Sequence, residues 1–81
     1  MTRECVKRLI NKEGLREYNF FEDRANGENE IVIAKDSEHW VVYATDERAS
    51  RRTGSEKIFD NEAEALKNFI KRLRVLNGLK R

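Results

Sequence analysis

One cysteine, one histidine and no proline in 81 residues is a sparse reactive inventory, and each scarcity closes off some chemistry. The single thiol, Cys5, has no internal disulfide partner, which fits a reducing compartment. Zinc sites draw on about four Cys or His ligands at set spacings, and this chain has two such residues in all. The four glycines are scattered, so neither a phosphate-cradling loop nor a dinucleotide fingerprint can be assembled. No apolar run nears the ~20 residues that span a bilayer. The opening stretch MTRECVKRLI lacks the apolar core of a secretory signal. These readings predict a cytoplasmic protein with no metal and no cofactor.

Catalysis needs converging reactive side chains. His39 precedes Trp40 at a predicted strand start, the position of a turn-edge imidazole. Cys5 falls on the apolar stripe of a predicted helix, where a thiol packs as a small buried hydrophobe. Two carboxylate pairs, Glu22-Asp23 and Asp46-Glu47, sit at predicted strand ends, where acids are ordinary. The chain therefore reads as a binding protein rather than an enzyme.

What the sequence has in abundance is charge. Charged residues make up 40% of it and apolar ones 38%, too apolar and too regularly patterned for a disordered chain. The net charge of +2 hides a gradient. From Glu22 to Glu38 there are six acids against two bases, whereas Ala65 to Arg81 holds six bases and no acid. Separation of this kind makes local fields that orient a charged partner.

The pattern predicts one α+β domain over residues 1–81. A first helix over 2–13 is capped by Thr2, carries Cys5, Val6, Leu9 and Ile10 on one stripe, and stops at Gly14. Residues 17–22 and 30–35 read as strands joined through Asn26-Gly27 as a hairpin. Residues 39–45 form the strongest strand, with Trp40, Val42 and Ala44 on one face and Val41, Tyr43 and Thr45 on the other. Both faces are largely apolar, so this strand is predicted to be central. Trp40 and Tyr43 are expected to anchor it against the helices. Residues 46–56 read as a polar loop with room to move, and Lys57-Ile58-Phe59 as a short fourth strand or a packed anchor. Asn61 with Glu64 marks the start of a last helix over about 61–77, striped with Ala65, Leu66, Phe69, Ile70, Leu73 and Leu76 and ended by Gly78. The expected architecture is an N-terminal helix, an antiparallel meander of three to four strands, and a long C-terminal helix on the sheet.

Two classes of partner fit such a domain. Helix, three strands, helix is the order of double-stranded-RNA-binding modules, and Arg48, Arg51, Arg52 and the basic last helix suit phosphates. Against this, the last helix opens DNEAEA, placing carboxylates where a phosphate would dock. The other class is protein recognition. The stretch W40-V-V-Y-A-T-D-E-R48, followed by F59-D-N-E-A-E-A65 and F69-I-K-R-L73, resembles the immunity protein 59 family of small bacterial antidotes. In that pattern a strand W-x-V-Y-Y-x-E-R-G leads through a polar loop into F-x-S-E-x-E-A and a final helix; Ala49 stands here where the pattern has glycine. The resemblance implies a cytoplasmic antidote that binds the toxic C-terminal domain of a contact-dependent or polymorphic toxin, and many such toxins are nucleases with basic clefts. Carboxylates then stand in for phosphates. The candidate partner-binding residues are the hairpin acids Glu22, Asp23, Glu28 and Glu30, the turn acids Asp36 and Glu38, and Asp46, Glu47 and Arg48 emerging at the end of the third strand, all expected to reach solvent. For Glu47 and Arg48 an internal pair that pins the loop is the alternative.

Overall fold

A computed structural model describes residues 1–79; Lys80 and Arg81, counted above in the basic stretch, lie outside the described residues. Helix α1 (Arg3–Glu13) opens on Thr2, whose hydroxyl accepts from the Cys5 amide at 3.1 Å. It closes on Gly14 at φ 63°, whose N–H caps the Ile10 and Asn11 carbonyls. Val6 and Ile10 are buried, but Cys5 is exposed. Cys5 precedes Val6 by one position, about 100° around the helix, which turns the thiol off the buried stripe.

Four strands follow in the spatial order β1 (Tyr18–Phe20), β2 (Ile31–Asp36), β3 (His39–Ala44) and β4 (Lys57–Phe59). The sheet is mixed: β2–β3 and β3–β4 are antiparallel, but β1 runs parallel to β2, with Tyr18 opposite Ile31 and Phe20 opposite Ile33. The expected hairpin at Asn26-Gly27 is therefore absent, and neither residue has a positive φ. A strand of only three residues rises about 10 Å, so residues 21–30 suffice to carry the chain back to the start of β2 without a helix. The reversals flanking β1 and opening β2 are made by non-glycine residues in the left-handed region, Glu17 (φ 65°), Phe21 (φ 55°) and Asn29 (φ 49°). Strands β2 and β3 are joined by a two-residue turn, Ser37-Glu38, with Ser37 at φ 57°.

Helix α2 (Glu62–Leu79) begins where the Asn61 side chain accepts from the Glu64 amide at 2.9 Å. It runs through Gly78 rather than ending before it. Asn77 explains the extension: its amide accepts from the Arg16 N–H and donates to the Arg16 and Leu73 carbonyls, tying the last turn to the α1–β1 connection. The stripe Ala65, Leu66, Phe69, Ile70 and Leu73 is buried as expected. It packs with Val6, Ile10, Ile31, Ile33 and Val42 into one core on a single face of the sheet. Among the described residues no helix is long and apolar enough to cross a membrane.

Strand alternation decides which aromatic meets the helices. Trp40 shares a face with Val42 and packs on the core, but Tyr43 points to the opposite face, buried in a smaller cluster with Val32 and Val41. So Tyr43 does not anchor the helices. Instead its hydroxyl accepts from Asn26 at 2.9 Å, and the Arg51 guanidinium lies 4.2 Å from its ring centroid.

Trp40 is tied to α2 through Glu62, whose Oε1 accepts from Trp40 Nε1 at 3.2 Å and from Arg3 at 2.6 and 2.9 Å. Arg3 above all, and the Trp40 N–H after it, hold the Glu62 carboxyl below its ordinary range despite partial burial. A depressed folded pKa gives stability that is complete above the unfolded value, about 4, and is lost as pH falls through the folded one. Glu62→Gln should therefore cost about 1 kcal/mol at pH 7 and flatten the acid limb of a pH–stability profile. Melts between pH 2 and 7 check both.

Candidate protein-binding surface

The nine residues proposed from sequence do not converge. Asp36 and Glu38 stand at the β2–β3 turn, one end of the sheet. Asp46, Glu47 and Arg48 follow β3 at the other end, and the Asn29 amide donates to the Asp46 carbonyl there, placing Glu28 and Glu30 beside them. Glu22 and Asp23 lie just past β1; Glu22 pairs with Arg24 at 3.3 Å. The sequence shows acids clustered along the chain, but the parallel β1 and the return loop spread them over three places.

Glu30 is not on the surface at all. Its side chain is 7% exposed. Both carboxylate oxygens accept from Arg24 at 3.3 Å, and Oε1 also takes the Gly27 amide at 2.7 Å. Arg24 in turn donates to the Tyr18 and Ala25 carbonyls. A Cβ on Gly27 would lie 3.1 Å from Glu30 Oε2, so glycine serves here for close approach to the carboxylate rather than for a turn. Thr45, 2% exposed, locks the same corner: its hydroxyl accepts from the Glu30 amide and donates to the Gly27 carbonyl. Glu30 thus organises the return loop from inside.

The segment after β3 is cross-linked rather than loose. Asp46 N–H donates to Ser50 O at 2.8 Å, Ala49 N–H to Asp46 O at 3.0 Å, and Arg52 N–H to Ala44 O at 2.9 Å. Asp46 Oδ1 accepts from the Arg48 and Ser50 amides, which hold its carboxyl below the usual range. Asp46 is thus spent on the turn, whereas Glu47 and Arg48 are exposed on it, with no ion pair between them among the described residues. It is Asp46, not a Glu47–Arg48 pair, that pins the loop. Ala49 closes it at φ 63°, a conformation that strains a Cβ. Ala49→Gly should raise stability by about 0.5–1 kcal/mol, the strain relieved outweighing the added chain entropy of glycine. A denaturant melt reads the shift of midpoint at constant slope.

Sequence reasoning missed the concavities at this end. A polar hollow of about 590 Å³ is lined by Asn29, Asp46, Glu47, Arg48, Arg52 and Thr53. Beside it, sharing Asn29 and Arg52, runs a mostly apolar groove of about 530 Å³ between the second half of α2 and the strand ends. Asn68, Lys71, Arg72 and Val75 form its helical wall. Their i, i+3, i+4, i+7 spacing was the available signal: a second face of α2 beside the core stripe, with an aliphatic residue among cations. Arg72 reaches across to donate to the Ser55 and Val42 carbonyls at 2.7 and 3.4 Å.

Elsewhere the chemistry is thin. His39 is exposed at a strand start, 3.5 Å from Asp60. Among the described residues no group of three or more His, Cys, Asp or Glu is placed to hold a metal. The first turn of α2 carries Glu62 and Glu64, so the helix end that would meet a nucleic-acid phosphate presents carboxylates.

The sequence model of a family described as immunity protein 59 matches residues 1–80. No curated protein and no solved structure gives a match.

Proposed function

The chain belongs to the immunity protein 59 family, and from that membership we propose that it binds a toxin domain made by the same bacterial strain and neutralises it by covering its active site, in the cytoplasm and without catalysis of its own. The match over residues 1–80, which takes in both helices and the whole sheet, carries this reading. The surface proposed for the contact is the end of the sheet bearing Glu28, Glu47 and Arg48. Two properties support that choice. The turn from Asp46 to Ser50 is held by its own hydrogen bonds, so its side chains are presented with little ordering entropy left to lose. Glu28 and Glu47 are exposed carboxylates, able to meet the basic substrate cleft of a nuclease and to speed association through charge complementarity. Asp36 and Glu38, at the far end, are left as surface.

The test is titration calorimetry against the toxin domain encoded beside this chain, with a nucleic-acid cleavage assay in parallel. Equimolar chain should bind the domain and suppress cleavage. Glu28→Lys with Glu47→Lys should weaken binding at least ten-fold while changing stability by no more than about 0.5 kcal/mol per site. Absence of binding by the unaltered chain would sink the antidote reading. Binding that leaves the domain fully active would sink active-site coverage alone.

A further inference from the structure

The apolar groove beside α2 has three properties that point to an occupant. First, Val75 is 58% exposed on its wall, an aliphatic side chain left uncovered while Leu66, Phe69, Ile70, Leu73 and Leu76 of the same helix turn to the core. Second, Arg52, Lys71 and Arg72 line it, and among the described residues none of them is in an ion pair. Burial pushes the Arg72 pKa down with no carboxylate to offset it. Third, Asn68 Oδ1, on the same wall, is buried and has no hydrogen-bond donor. A buried acceptor left unpaired is destabilising, so this stretch of the wall is incompletely satisfied by the chain itself. The groove shares Asn29 and Arg52 with the polar hollow at Glu47 and Arg48, so the two form an open trough rather than a closed pocket.

We propose that this trough seats an extended segment of the partner protein in which aliphatic side chains alternate with carboxylates. The aliphatic groups cover Val75 and Ala44, and the carboxylates meet Arg52 and Lys71. The partner's identity as a toxin rests on the family reading above; the chemistry of the trough does not. The site lies beside Glu28 and Glu47, so the interface carries both signs of charge. A partner must then offer a basic surface next to an acidic, apolar strand, which discriminates more sharply than one sign alone.

The test has two arms. In the first, the ¹⁵N-labelled chain is titrated at low salt with the peptide acetyl-Glu-Leu-Asp-Leu-Glu-amide and with its counterpart in which lysine replaces each acid. Saturable shifts of the Asn68 side-chain amide and of Lys71 and Val75 are expected with the acidic peptide only. They should vanish in Lys71→Glu and in Val75→Asp, both exposed positions whose melting points should stay within a few degrees of the unaltered chain. Silence at those residues, equal shifts with the basic peptide, or saturation by decanoate in place of the peptide would overturn the proposal. In the second arm, Lys71→Glu should weaken binding of the toxin domain at least ten-fold. Unchanged affinity, with the unaltered chain still binding, would overturn the trough and leave the antidote reading standing. If the unaltered chain does not bind the domain, the antidote reading fails, and the peptide titration decides the trough by itself.

Discussion

Glu30→Lys is expected to destabilise the domain by about 3–5 kcal/mol, the cost of leaving a buried charge unpaired, whereas Glu28→Lys, two residues away on the surface, should cost less than about 0.5. The reason is visible in what the carboxylate holds. Arg24 donates to it through two nitrogens and the Gly27 amide through a third, and its own backbone is clamped by Thr45. Lysine at position 30 would set two cations against each other at a site 7% exposed and leave Gly27 N–H without an acceptor. Glu30→Gln keeps the shape and loses the charge, so it should fall between, near 1–2 kcal/mol. A chain of this size has about 5–10 kcal/mol to lose, so the lysine variant should give up roughly half of its stability. Urea melts of the three variants give the order directly. A Glu30→Lys variant as stable as Glu28→Lys would show that the return loop is not held from inside.

Phe69→Ala should cost a similar 3–5 kcal/mol by a different route. Phe69 is fully buried at the middle of α2. Its ring centroid is 6.5 Å from that of Tyr18, nearly edge-on, and 5.6 Å from that of Phe20. Both neighbours belong to β1, three residues long and paired on one side only. Truncation removes the ring's burial and its contacts with both aromatic residues of that strand together. Phe69→Leu, which refills much of the space, should cost less than half as much. Beyond a lower midpoint, the alanine variant should show faster hydrogen exchange at the β1–β2 pairing than at β2–β3, because both ring contacts of Phe69 are to β1, whereas β2–β3 has a six-residue ladder of its own.

Much of what rested on local spacing was legible in the sequence, Gly78 as the end of α2 excepted. Thr2 and Gly14 bound α1, Asn61 opens α2, and the six-residue stripe of α2 lies inward or half inward as its period requires. The alternation of β3 was also legible, including burial on both faces. What escaped was decided by distant partners. Asn26-Gly27 resembles a hairpin turn, but the ladder partner of Tyr18 is Ile31 in parallel, a choice set by α2 packing on Phe20 and by Arg24 reaching Glu30. Glutamate beside an exposed turn looks solvated; only the fold brings Arg24, Gly27 and Thr45 around position 30. Cys5 and Tyr43 fell to the same cause: a residue can sit next to a stripe, or on an apolar face, without facing the helices. The groove wall of α2 was written in the sequence as a second periodic face, and was masked by the stronger core stripe beside it.

The core is closed by pieces from opposite ends of the described chain. Arg3 pairs with Glu62 across 59 positions and Glu13 with Arg74 across 61. During synthesis α1 and the strands leave the ribosome first, with Ile31, Ile33 and Val42 bare on one side of the sheet until α2 arrives. Completion of the core must therefore wait for α2, and until it arrives that apolar sheet face is open to association.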